Sequence, residues 1–405
     1  MKEGRKYSRE MGESGAFWSW LKKVKPYLAM VSLQFGYAGM YVITLVSLNH
    51  GMSHYVLAVY RHVAATLLIA PFAFVLERKI RPKLTVPIFL RIMALGFLEP
   101  VLDQNLYYVG MKSTSATFAS ATVNVLPAIT FIMALAFRLE KVNVKKIQSL
   151  AKVIGTAVTV GGAMVMTLYK GPIVDIMRTG GTSHHHAGGG APNGSSDQHW
   201  VTGTLMLLGS CCGWSGFFIL QSFTLKKYPA ELSLTALICL MGTVEGAAVS
   251  LVMERDMSVW QIGWDSRLLA AVYSGVVCSG IAYYVQGVVI RERGPVFVTS
   301  FSPLCMIITA ALGAIVLAET IHLGSIIGAI FIVCGLYTVV WGKSKDRQAE
   351  LTMASMPDEK GSTSELPITD VRTSNGENKV QKQVDMPRIS GKNHLPKNLP
   401  ISRIS

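Results

Sequence analysis

Apolar residues run in blocks along this chain, separated by short stretches that carry most of its charge. A helix of about 20 apolar residues crosses roughly 30 Å of hydrocarbon. Backbone amides find no water there, so each span must bond to itself, as a helix does. The blocks predict ten spans, at 27–48, 55–76, 87–110, 114–137, 147–168, 201–223, 232–253, 268–290, 295–318 and 321–342. A soluble core could hide two or three such helices; ten cannot all be interior. The expected class is an all-α membrane protein. Residues 1–26 are hydrophilic, 169–200 form a Gly/Ser/His-rich loop, and 343–405 are polar enough to be expected as a disordered tail.

The pattern also repeats. Tyr107 and Pro127 in the first half have counterparts in Tyr283 and Pro303. Gly36-Tyr37-Ala38-Gly39-Met40-Tyr41 returns as Gly213-Trp214-Ser215-Gly216-Phe217-Phe218, and Gly155 and Gly162 as Gly328 and Gly335. The units are 27–168 and 201–342. Each holds five predicted spans, an odd number, so the second copy must enter the bilayer upside down. Inverted repeats are a common build of secondary transporters, with the substrate near the midplane where the repeats meet.

Composition agrees with this picture. Half the residues are hydrophobic and 15% are charged, against about 25% in soluble domains; mean hydropathy is +0.39. The formal charge of +14 is explained by Lys and Arg between spans. No zinc spacing, helix-turn-helix signal or aromatic-basic stripe points to nucleic acid. With the N-terminus inside, the inner segments gather Arg78, Lys79, Arg81, Lys83, Arg138, Lys141, Lys145, Lys146, Arg291 and Arg293. The outer ones hold Lys112, Lys170, Arg178, Arg255 and Arg267. Both termini are then expected in the cytoplasm, and the 169–200 loop outside, where Asn193-Gly194-Ser195 is a glycosylation candidate. Cys211, Cys212, Cys239, Cys278, Cys305 and Cys334 all fall in predicted spans, which argues against a disulfide framework. The polar N-terminus carries no removable signal peptide signature.

Candidate chemistry concentrates in 98–127, where Glu99, Asp103, Gln104, Asn105 and Asn124 stand in apolar surroundings. A carboxylate at mid-bilayer costs about 2.5–3.5 kcal/mol on insertion scales, so it faces a cavity or a partner. Glu99, Asp103 and Tyr107 share one helical face, and Pro100 removes a backbone bond beside them. Glu99 could bind a substrate ammonium, could carry a coupling proton, or could pair structurally with Arg61 or His62. Arg61 and His62 lie close to the start of span two, a position that favours snorkelling to the interface. Glu245, mid-span in span seven, has the same functional and structural readings as Glu99. Gln34, Tyr37, Tyr41, Asn124, Trp214, Tyr283 and Gln286 are candidates for the cavity wall; a bond to a neighbouring helix explains the amides equally well. Gly36, Gly39, Gly213 and Gly216 read as close-packing positions. Pro100, Pro127 and Pro303 are candidate hinges or fixed bends, and Glu140 and Glu319 are expected at interfaces. His184-His185-His186 has no second ligand cluster, so no metal is expected. No Walker A loop, Gly-x-Ser-x-Gly or His-Glu-x-x-His occurs, so no cofactor or ATP drive is expected. Glu99 with His62 is the one faint catalytic pair.

LQFGYAGMYV, TSATFASATVNVLPAITF, RLEKV, LYKGP, CSGIAYYVQ, RGPVFVTSFSPL and IIGAIFIVCGLYTVVWGKSK resemble, in order and over residues 26–346, the plant nodulin-like, Walls-Are-Thin-related proteins. These are also called UMAMIT transporters, of the EamA branch of the drug/metabolite transporter superfamily. The resemblance implies ten helices in two inverted EamA repeats and a facilitator for amino acids, with auxin or another small metabolite as the alternative cargo. The expected partners are that solute and the lipid bilayer, with proton coupling open. The expected location is the plasma membrane, with the vacuolar membrane as the alternative.

Overall fold

The computed structural model describes residues 24–44, 47, 52–114, 116–140, 142–143, 145–169, 172, 196–316 and 322–354. Asn193, His184–His186 and Glu319 lie outside these residues, as do 1–23 and 355–405. Every element the described residues form is helical. In order they are α1 (24–44), α2 (His54–Leu76), α3 (Val86–Gly96), a π segment (Phe97–Asp103), α4 (Gln104–Ser113), α5 (Ala116–Val123), α6 (Leu126–Ala136) and α7 (Ile147–Leu168). There follow α8 (Ser196–Lys227), α9 (Glu231–Met253), a short 3-10 turn (Met257–Trp260), α10 (Ser266–Tyr273), a second π segment (Ser274–Ile281), α11 (Ala282–Arg293), α12 (Pro295–Thr299), α13 (Ser302–Val316) and α14 (Leu323–Ala354).

Among the described residues, eight runs are long and apolar enough to cross a membrane: His54–Leu76, Phe118–Ala136, Ile147–Leu168, Trp200–Lys227, Glu231–Met253, Ser266–Arg293, Pro295–Gly313 and Leu323–Gln348. The runs 24–44 and 86–113 are also helical and fall on the other two predicted spans. The second of these carries Arg91, Glu99, Asp103 and Lys112, which lower its apolar character. One boundary moves: the polar tail does not begin at 343, because α14 continues to Ala354. Lys343 bonds Glu140 and Asp346 pairs with Lys152 at 2.6 Å, which anchors this extension to α7.

The inversion is visible where α7 meets α14. A Cβ on Gly155 would stand 2.8 Å from the Gly335 carbonyl oxygen, and one on Gly162 would stand 3.0 Å from that of Gly328. Sequence-equivalent helices thus pass each other antiparallel, with glycines letting the backbones approach. The same two-fold relation sets other pairs. Gly36 and Gly39 of α1 pack on Val277 and Tyr273, while Gly213 of α8 packs on Leu98 and Gly216 faces the same leucine at 3.8 Å. These four glycines are packing positions.

The irregularities repeat as well. A π segment interrupts each run of Glu99 type, at Phe97–Asp103 and again at Ser274–Ile281. The runs that follow are each broken, between Val123 and Leu126 and between Thr299 and Ser302. Pro127 and Pro303 stand at the start of the second piece, where proline has no amide to lose. The prolines therefore open half-helices; they do not bend continuous ones. The main hydrophobic core lies between α1, α8, α9, α11 and α12, with Phe217, Phe218, Leu234, Tyr283 and Phe297 at its centre. All six cysteines are free thiols.

Candidate functional site

Glu99 lies in the first π segment and is 4% exposed. A π turn carries an extra residue per turn and leaves the local ladder irregular, a feature frequent at functional sites. The Tyr283 hydroxyl, from the second half, donates to Glu99 Oε2. Arg61 Nη2 stands 3.5 Å from Oε1, at the limit of a hydrogen bond, and Arg61 Nε donates to Ser279 Oγ at 2.6 Å. Ser279 is the repeat counterpart of Asp103, and Gly275 that of Glu99. A Cβ at Gly275 would lie 2.4 Å from the Arg61 carbonyl oxygen, so α2 lies directly against the second π segment. Arg61 therefore reaches both repeats.

His62 adds a second acceptor. Its Nδ1 lies 2.7 Å from the Ala58 carbonyl oxygen, which accepts only, so Nδ1 carries the proton. In the neutral ring Nε2 is then a lone pair. It is buried, has no hydrogen-bond partner among the described residues, and faces Glu99 Oε2 at 3.9 Å. Two acceptors meet there with no donor between them.

The expectation that Arg61 and His62 snorkel to an interface is corrected: both are buried. The reason is a cover over the first turns of α2. Tyr60 donates to the Trp260 carbonyl at 2.9 Å, and Val56 and Leu57 pack under Val259 and Trp260. The water boundary is thus displaced beyond the helix start.

Other candidates divide into those near this centre and those elsewhere. Asp103 is buried and accepts from Ser210 at 2.5 Å. Gln104 follows it and neighbours Glu99. Gln34 is buried on α1, and Gln286 donates to the Tyr37 hydroxyl at 2.8 Å. Tyr41 is 42% exposed, with Asp103, Tyr107 and Tyr108 within electrostatic reach. Asn124 is not turned to a cavity: it donates to the Ser120 carbonyl at 2.9 Å and contacts Met306. Trp214 stacks on Phe218, with 6.2 Å between ring centres, at the edge of the apolar core. Glu245 stands apart, its Oε2 facing Gly96 of α3. Glu140 lies outside the membrane-crossing runs, four residues past Ala136. It is nearly enclosed and binds Lys343 and, at 3.3 Å, Lys152. Sequence reasoning left Ser210, His54 and Tyr108 out of the site. Tyr108 was signalled only by its place beside Tyr107.

Antiparallel helical copies closing on a charged midpoint define a multi-pass membrane protein of the transporter type. The chain belongs to the EamA-like transporter family, whose model matches residues 24–168 and 201–341. It is 67% identical to the WAT1-related protein At4g08300 of Arabidopsis thaliana over 353 residues, covering 87% of this chain and 93% of that one. It is 70% identical to the WAT1-related protein At1g21890 of the same plant over 334 residues, covering 81% and 86%. A solved structure described as "Crystal structure of protein" shares the fold, with a TM-score of 0.59 at 15% identity, over 78% of this chain and 98% of that one.

Proposed function

We propose that the protein is a secondary transporter of amino acids in the plasma membrane, with both termini cytoplasmic, and that it works by alternating access about the repeat interface. The observation that carries the reading is the pair of buried acceptors, Glu99 Oε2 and His62 Nε2, 3.9 Å apart with no donor between them. An α-ammonium has three N–H donors and a positive charge, and it satisfies both. Arg61, anchored through Nε on Ser279 and loosely held by Glu99 at 3.5 Å, keeps its Nη donors for the substrate carboxylate. The internal ion pair thus stands in for the two charged ends of a zwitterion. An indole acid such as auxin offers the carboxylate without the ammonium and leaves His62 Nε2 without a donor. Each repeat also carries a broken helix, at 123–126 and 299–302, and discontinuous helices are a common feature of transporter folds. No chemical step is assigned; the work is binding and passage, driven by a gradient.

Uptake of a radiolabelled amino-acid panel into proteoliposomes, with indole acid as competitor and with or without a pH gradient, tests the reading. Saturable amino-acid flux that indole acid leaves unaffected supports it. Indole-acid flux that amino acids do not compete with overturns it, and the pH arm shows whether protons are coupled.

A further inference from the structure

We propose that the cavity beside the first turn of α2 is a second binding site, one that takes a zwitterionic amino acid before it reaches Glu99. This rests on the amino-acid reading above. The cavity measures about 430 Å³, and its wall includes His54, Tyr108, Met111, Lys112, Glu254 and Val259. That volume falls in the range of small-ligand sites, about 300–1,000 Å³.

Its charges are what single it out. Lys112 closes α4 and Glu254 follows α9, so opposite charges face one space from different helices. Neither has an ion-pair partner among the described residues, whereas Glu99, Glu140, Glu231, Asp265 and Asp346 all do. His54 adds a buried Nε2 with no hydrogen-bond partner among the described residues. Its ring is held at 4.0 Å from that of Tyr55 and 4.4 Å from that of Tyr108, so it cannot swing out to water without losing both contacts. A carboxylate on Lys112, an ammonium on Glu254 and a polar group on His54 Nε2 would satisfy all three together. A simple anion would meet Glu254, and a simple cation would meet Lys112, so the net-neutral zwitterion is the class that fits. Met111 and Val259 leave an apolar wall for a side chain.

The position suits a waiting site. Tyr108 lines the cavity and also stands within electrostatic reach of Arg61 and Asp103. Tyr108 is therefore the side chain that links the two sites. A substrate leaving the outer one passes Tyr108 and Tyr41 on its way to the centre.

The test uses full-length protein in nanodiscs and proteoliposomes with radiolabelled L-glutamine. Two glutamines bind per chain in the wild type, and one in Lys112→Met, Glu254→Gln or Met111→Trp, the last filling the cavity without touching a charge. The half-saturating concentration for uptake rises about tenfold in the first two, the loss expected for one charge-assisted hydrogen bond, while maximal flux moves far less. The unliganded melting temperature stays put, because neither charge has a partner to lose. Glu99→Gln cuts flux by about tenfold or more yet keeps one bound glutamine. A stoichiometry of one in the wild type, or an unchanged half-saturation in all three cavity variants, overturns the outer site and leaves the central reading intact. Normal flux in Glu99→Gln, with the cavity variants still shifting binding, overturns the central reading and keeps the outer site.

Discussion

Tyr283 of the second repeat donates its hydroxyl to Glu99 of the first. Its counterpart, Tyr107, has no equivalent acid to bind, because the position matching Glu99 is Gly275. The two halves share a backbone plan and differ in charge. The acid sits on one side and the small residues that admit α2 sit on the other. That asymmetry lets one arginine reach both repeats.

Arg61→Met strands the buried Glu99 carboxylate, and removing one member of a buried pair costs about 3–5 kcal/mol. Arg61→Met with Glu99→Met removes both charges and recovers most of that loss. Thermal unfolding in detergent should place the double variant well above the single one. A double variant no more stable than Arg61→Met would show that the two side chains are not energetically paired.

The glycine seam between α7 and α14 gives a position-specific expectation. A Cβ at Gly162 would stand 2.6 Å from the Phe331 Cβ and 2.9 Å from the Ile332 nitrogen, so Gly162→Ala must push the helices apart. Overpacking of this kind costs about 1–3 kcal/mol. Gly161, one residue earlier, has nothing within 4 Å, and Gly161→Ala should be neutral or gain up to about 1 kcal/mol of helix propensity. Melting curves of the two alanine variants, run side by side, decide it. Equal behaviour would contradict the antiparallel contact.

Glu140 makes a pH prediction. Its burial pushes the carboxyl pKa up, but Lys343 and Lys152 outweigh this and hold it below the usual 4.5. A carboxylate with a lowered folded pKa contributes stability that is fully present above its unfolded value. That stability is lost as the pH falls through the folded value. The melting-temperature gap between wild type and Glu140→Gln should therefore be constant above pH 4.5 and close at lower pH. A gap that widens on acidification would contradict the assignment.

Much of this was legible in the chain. The helices, the repeat and its inversion follow from apolar blocks and paired motifs, because lipid leaves the backbone few alternatives. Glu99 and Asp103 announced themselves by the cost of a charge at that depth. Arg61 and His62 did not. Distance from a helix end measures depth only when that end meets water, and the Met257–Trp260 turn, far away in sequence, covers this one. Asn124 and Trp214 fit the cavity pattern by position, but each also has a partner four residues away, Ser120 and Phe218, a contact that helical spacing allows without favouring it over the cavity. The reach of α14 to Ala354 was hidden because its polar extension is held by Lys152 and Glu140, an ion network no local pattern shows.

The most direct test of the central site is amino-acid counterflow in proteoliposomes, comparing wild type, Glu99→Gln and a chain ending at Ala354. Losing the ammonium's charged partner should cut flux in Glu99→Gln by about tenfold or more, while the shortened chain stays close to wild type. Flux lowered equally in both, or undiminished in Glu99→Gln, would contradict the placement of substrate between the two repeats.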